Sequence, residues 1–276
     1  MKVDTHHHFW NLSEVEYPWL TPADGAIYNT FEPHHLAPQV KAAGIDKTVI
    51  VQSANNYADT ASMLIHADYN DWIGGVIGWV DLLDPAKTEA DLSIFMRHPK
   101  FRGIRHLIHM ERDPDWVLQP AVIESLKVLA KHNMIFEVVA VFPNHLKHVP
   151  ILSERVPELK MIIDHLAKPP IKDKGMSPWS DQLKAAAANP NVYAKISGLN
   201  TAAAADWSAT DLQPYVDHAV ECFSPSRLMF GSDWPVCILA GDYQQVWAET
   251  NKALSKYNGT EQAMILGGTA QSLYRL

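Results

Sequence analysis

The chain has 276 residues, 47% hydrophobic and 20% charged, the balance of a globular, enzyme-sized protein that can bury a large core without staples. A formal net charge of −8 argues against nucleic acid or an anionic membrane as partner, since both require a basic surface. The two cysteines, Cys222 and Cys237, offer no disulfide framework, and neither a membrane-length apolar run nor a signal-peptide core is present; a cytoplasmic location is the expectation.

Short runs rich in Val and Ile alternate with longer amphipathic segments. Strands are expected at 2–8 (KVDTHHH), 47–53 (KTVIVQS), 73–80 (IGGVIGWV) and 101–107 (FRGIRHL). The series continues at 134–141 (MIFEVVAV), 160–166 (KMIIDHL), 191–197 (NVYAKIS) and 227–233 (RLMFGSD). Between them lie helix-like stretches such as ADTASMLIHADYN, DWVLQPAVIESLKVLAKHN, SDQLKAAAAN and ATDLQPYVDHAVECF.

Continuous β-branched runs separated by helices imply parallel strands covered on both sides. Eight of them point to an α/β fold, a single (β/α)8 TIM barrel domain spanning residues 1–276. An open doubly wound sheet is the alternative, weakened because no Gly-rich phosphate loop follows the first strand. Residues 9–32 (FWNLSEVEYPWLTPADGAIYNTFE) are too long and polar for a simple turn. After the first strand of a barrel they would lie on the catalytic face, either covering substrate or packing as an edge arm.

The strand ends carry the chemistry. Side chains alternate along a strand, so His6 and His8 share a face, about 6–7 Å apart along the chain, while His7 points the other way. Taken alone this H-x-H is equally a pair of structural histidines. Later strand ends add weight: MIIDHLAKP brings Asp164, His165 and Lys168, and RLMFGSDWP brings Ser232, Asp233 and Trp234. GIRH ends the fourth strand with Arg105 and His106, and Lys195 and Ser197 lie two apart in the seventh. Ionisable groups at the tips of apolar parallel strands are costly to desolvate and gather where barrels place active sites.

VDTHHHFW, GIRHLI, DHLAKP, NVYAKISGL, LMFGSDWPV and GGTAQSLYRL together resemble the amidohydrolase-2 branch of the amidohydrolase superfamily, from the first strand to residue 276. YPWL (17–20) and GWVDL (78–82) are similar to the sugar-lactone hydrolases of that branch, which act on fuconolactone and rhamnonolactone. The resemblance implies a distorted barrel of the metal-dependent-hydrolase type and hydrolysis of a cyclic ester. It also implies that His6, His8, His165 and Asp233 are the metal-ligand set, with one divalent ion, Zn²⁺ first, whose requirement stays open. Many superfamily members add a strand-four lysine or glutamate and a strand-five histidine. Here strand four offers Arg105 and His106, MIFEVVAVF has no histidine, and His145 comes only later, which argues against a binuclear centre.

Lactone hydrolysis needs a nucleophilic water, a polarised carbonyl and a proton for the leaving alkoxide. Asp233 is the candidate base, the competing reading being a carboxylate that caps the following turn. His6, His8 and His165 would bind metal or hydrogen-bond carbonyl and water directly, and His106 or Lys168 would protonate the leaving oxygen. Arg105 would hold substrate or fill the barrel mouth, and Lys195 would pair with a neighbouring carboxylate. Trp10, Trp19, Trp79 and Trp234 are candidate sugar-stacking residues or core. His66, His98, His132, His148 and His218 lie in helix-like stretches and read as packing or solvated.

A dicarboxylate substrate would call for several arginines, and the chain has seven, with Arg102, Arg105 and Arg112 read as near a strand's carboxyl end. A neutral polyhydroxylated lactone suits the available Gln52, Asn55, Asn56, Asp81, Ser197, Asn200 and tryptophans better. The leading expectation is therefore a sugar lactonase acting on L-fucono- or L-rhamnono-lactone. Alternatives are a metal-dependent decarboxylase of the superfamily, a pyrone dicarboxylate hydrolase, and a non-catalytic sugar-binding barrel. Barrels of this kind often self-associate as homo-oligomers, although no sequence feature marks an interface.

Overall fold

In the computed structural model, which describes residues 1–276, all eight expected strands form. They are β1 (Val3–His7), β2 (Lys47–Val51), β3 (Ile73–Gly78), β4 (Phe101–His106), β5 (Ile135–Val138), β6 (Lys160–Ile163), β7 (Val192–Ile196) and β8 (Leu228–Phe230). They pair in parallel, in chain order, as one sheet. The sheet curls until β1 meets β8. There the His8 amide donates to Trp234 O (2.7 Å) and the Asp233 amide to His6 O (2.8 Å).

Lower on this seam, side chains replace the backbone ladder. Thr5 Oγ1 donates to Phe230 O (2.7 Å), and Asp4 Oδ1 accepts from the Ser232 amide (2.9 Å). On the other edge of β1 the pairing with β2 shifts register between Asp4 and His7, and β2–β3 and β3–β4 carry similar shifts. The expected distortion of the barrel is shared between these shifts and the stitched seam.

Ten helices accompany the strands: α1 (Pro33–Ala43), α2 (Tyr57–Tyr69), α3 (Pro85–Phe95), α4 (Pro120–Lys131), α5 (His148–Arg155), α6 (Trp179–Ala187), α7 (Ala209–Phe223), α8 (Tyr243–Leu254), α9 (Gly259–Ala263) and α10 (Thr269–Tyr274). Their starts are written locally. Proline opens α1, α3 and α4, where its missing N–H is not needed. Asn56, Asp84 and Asp242 cap α2, α3 and α8 by accepting from Asp59, Lys87 and Gln245 amides. No helix is long and apolar enough to cross a membrane.

The barrel interior is layered. Val3, Val49, Ile77, Ile135, Ile162 and Met229 fill its amino-terminal half, packed with Leu273 and Tyr274 of α10. Above them point Arg105, Glu137, Asp164 and Lys195, all buried, and above these the histidines. Arg102 is not near a carboxyl end as expected: it starts β4, and its guanidinium donates to the Tyr274 and Arg275 carbonyls. Its place is at the opposite end from the site.

Candidate active site

His6 and His8 point into the barrel as alternation requires. His7 points outward, its Nε2 2.8 Å from Thr48 Oγ1 and its ring against Phe9 and Trp72. Each inward imidazole is held through Nδ1. That of His8 lies 2.7 Å from Val51 O, that of His165 2.8 Å from Ser197 Oγ, and that of His6 3.1 Å from Lys195 Nζ and 3.3 Å from Asp164 Oδ1. All three therefore present Nε2 to the centre. The three Nε2 atoms stand 3.6–3.8 Å from one oxygen, Asp233 Oδ1, and His6 Nε2 and His8 Nε2 are 3.2 Å apart.

Burial keeps these histidines uncharged. It pulls His6 and His8 below the ordinary imidazole range and His165 down to about 4. For Asp233, burial pushes the other way, but His165, the His8 hydrogen bond, Lys168 and His6 outweigh it and hold the carboxyl well below the usual range. Three neutral nitrogen donors facing one carboxylate, each imidazole fixed by a partner on its far nitrogen, are the donor set and the outer support that Zn²⁺ takes. His6, His165 and Asp233 bring their donor atoms within 4.8 Å of one another.

Local backbone makes this convergence possible. His165, Leu166, Ala167 and Lys168 all have positive φ, 54°, 48°, 62° and 53°, a left-handed turn that costs roughly 1–2 kcal/mol per residue. It is secured by the Trp179 indole donating to Leu166 O (2.8 Å) and the Phe142 amide donating to Ala167 O (2.9 Å). Asp233 is also left-handed, at φ 58°. Strain of this kind persists where surrounding packing over-determines it, typically at functional sites.

The cluster floors a cavity of about 490 Å³, an ordinary size for a small-molecule site. Its base carries His8, Arg105, His165, Lys168 and Asp233. The rest of its lining includes the apolar side chains of Leu107, Met110, Val139, Val141, Ala202 and Val236.

A family model described as amidohydrolase matches residues 3–276. This chain is an amidohydrolase. Proteins from Burkholderia ambifaria and Burkholderia multivorans, both named L-fucono-1,5-lactonase, are 35% and 32% identical to it, each alignment covering 100% of this chain and 96% of the relative. A crystal structure of an amidohydrolase from Burkholderia multivorans with bound zinc superimposes with a TM-score of 0.92 at 31% identity, covering 100% of this chain and 99% of the other.

Within this amidohydrolase, the structure sorts the expected site residues. His6, His8, His165 and Asp233 meet, and Lys168 joins them with Nζ 3.9 Å from Asp233 Oδ2. Arg105 also reaches them: Nη1 lies 3.3 Å from His6 Nε2 and 3.1 Å from Asp164 Oδ2. Trp19 lines the cavity, its indole donating to Ser53 O (2.6 Å).

The others do not face the cavity. His106 accepts from the Trp79 indole (3.0 Å), faces Glu111 Oε1 at 2.7 Å and stacks on Trp116, so of the two candidate proton donors only Lys168 is at hand. Trp10 is buried, its indole donating to Asn29 O (2.8 Å), and Trp234 packs on Phe9 and Phe31. Trp79 is tied to His106. Gln52 and Ser197 hold Arg105 and His165 from behind. Asn56 caps α2, the Asn200 amide donates to Cys237 O, and Asp81 accepts from the Leu83 amide.

Among the residues that escaped the sequence reading are His109 and Thr201, which line the cavity, and Glu137, Tyr274 and Gly198. Glu137 sits inside an apolar run, and its strand position, two after Ile135, was the available signal. Tyr274 lies on α10, away from any strand tip. Gly198, in SGL, has φ 57°, and a Cβ there would fall 2.6 Å from Asp233 Oδ2 and 2.7 Å from His165 Nδ1.

Proposed function

We propose that this amidohydrolase opens a sugar 1,5-lactone to the sugar acid, with a 6-deoxy sugar such as L-fucono-1,5-lactone as substrate. The observation that carries the reading is the meeting of three imidazole Nε2 atoms on Asp233 Oδ1, with Lys168 and Arg105 beside them, on the floor of one cavity. The names of the two relatives similar over the full chain support it. The apolar lining residues suit the methyl carbon of a deoxy sugar, whose burial is favourable. Among the seven arginines only Arg105 lines the cavity, too few for a dicarboxylate.

His6, His8, His165 and Asp233 would hold one Zn²⁺, which when bound polarises the carbonyl and acidifies water. Asp233, kept ionised, takes a proton from the water as its oxygen bonds to the lactone carbonyl carbon. Arg105 aims its N–H groups at the oxygen that gains charge. The ring C–O bond then breaks, and the leaving alkoxide takes a proton from the Lys168 ammonium. Burial lowers the pKa of Lys168, which makes the ammonium a better proton donor at neutral pH. Asp233 returns its proton to Lys168 through a water bridging the 3.9 Å between them, and the site is reset.

The test is a pH-indicator screen of sugar 1,4- and 1,5-lactones with wild type and Asp233→Asn, each with and without chelator. Wild type turns over deoxy-sugar 1,5-lactones, the variant loses about 10²–10⁴-fold, and chelator removes activity that zinc restores. Zinc-replete wild type inert on every lactone would overturn the assignment.

A further inference from the structure

One polar side chain of the cavity has no partner within the chain. The floor residues His8, Arg105, His165 and Asp233 are engaged with one another or with the strands around them. Beside them the Trp19 indole donates to Ser53 O (2.6 Å), and Ser53 Oγ donates to Asp59 Oδ1 (3.3 Å). Thr201 Oγ1 accepts from Lys168 Nζ (2.8 Å) and donates to Gly198 O (3.0 Å). His109 also lines the cavity as an exposed residue, with neither ring nitrogen in a hydrogen bond or ion pair to the chain.

The backbone that carries this ring is nonetheless held in place. His109 is the middle residue of a short helical turn, Ile108–Met110, just past the end of β4. The Leu107 amide donates to Asn55 Oδ1 (3.0 Å), the Met110 amide donates to Leu107 O (2.9 Å), and Glu111 Oε1 lies 2.7 Å from His106 Nε2. A backbone fixed on both sides presents the imidazole at small entropic cost to binding. Burial beneath the outer surface, reinforced by Arg105, His145 and Lys168, pushes the ring down to about 4, so it is uncharged at neutral pH. A neutral imidazole has one N–H donor and one acceptor nitrogen. That pair complements a hydroxyl and brings no charge to attract a carboxylate.

We propose that His109 is a specificity-determining residue: it hydrogen-bonds the hydroxyl on C4 of a six-membered lactone. The assignment rests on the lactonase reading given above. With the carbonyl carbon C1 on the floor beside Asp233 and Arg105, C4 is the ring carbon across from it. His109 follows Arg105 by four residues, past the tip of the same strand, which sets it above the floor. In a 1,4-lactone O4 closes the ring and this hydroxyl does not exist, so the contact selects the larger ring. No bond to the C4 hydroxyl changes during hydrolysis. The contact is therefore equal in ground and transition states and acts on KM rather than kcat.

The test sets wild type, His109→Ala and His109→Gln against L-fucono-1,5-lactone, its 4-deoxy analogue and L-fucono-1,4-lactone. On the first, His109→Ala raises KM about 2–10-fold with kcat little changed. His109→Gln, whose amide keeps a donor and an acceptor, recovers part of that loss. On the other two, which lack the C4 hydroxyl, His109→Ala performs as wild type does. Melting temperatures stay together, because the ring has no partner in the chain to lose. An equal loss in His109→Ala on all three lactones, or a loss on none, would overturn the proposal while the lactonase reading stands. Wild type inert on all three would remove the lactonase reading and this proposal with it.

Discussion

At the scale of single residues, the site depends as much on what is missing as on what is present. Gly198 leaves room for Asp233 and His165 to approach each other, and its positive φ adds a second reason for glycine. Gly198→Ala would drive a methyl group into both side chains. We expect about a 10²-fold loss in kcat/KM from a displacement of this size, together with loss of zinc binding, and isothermal titration of zinc into the purified variant checks it. The histidines and Asp233 could be read from sequence because strand alternation and polar tips on apolar strands are local signals. Gly198 and Tyr274 could not, because their reasons are long-range contacts. Trp10 and Trp234 were misplaced for a related cause: a tryptophan at a strand tip looks the same whether it turns to substrate or to neighbouring core.

At the scale of elements, the eight strands were legible because β-branched runs report burial on both faces. Their carboxyl ends were not: 134–141 shrinks to Ile135–Val138 and 227–233 to Leu228–Phe230. After β6 and β8 the chain leaves the ladder through left-handed backbone at His165–Lys168 and at Asp233, and no propensity encodes that turn. The 9–32 segment packs as an arm and also reaches the cavity. Trp10, Val15, Tyr17, Leu20 and Ile27 form a small core of their own, while Trp19 reaches the cavity. Two substitutions separate these roles. Trp10→Ala costs about 3–5 kcal/mol of stability, read from urea midpoints. Trp19→Ala raises KM several-fold with little change in the urea midpoint, since its side chain is only half-buried.

For the whole molecule, buried carboxylates give stability a pH dependence that charge counts miss. Asp59 accepts from the Ser53 and Ala54 amides (2.7 and 3.0 Å), yet burial raises it from 3.8 to about 6. Between those values the native protein holds a proton that the unfolded chain has released. This group's contribution is therefore full below pH 3.8 and is lost as pH rises through 6, about 3 kcal/mol in all. Asp59→Asn, which can still accept from both amides, removes that dependence. Its stability relative to wild type should improve from pH 4 to pH 7, and a flat difference in urea midpoints across that range would refute the argument.

The seam between β1 and β8 also sets when the protein can begin to work. His6 and His8 are made first on the ribosome, Asp233 and the stitching residue Ser232 more than two hundred residues later. A nascent chain paused anywhere before β8 lacks Asp233, the carboxylate on which the three imidazole Nε2 atoms meet. On the function proposed above, zinc uptake would report completion of the barrel, and a prematurely terminated product would lack its base.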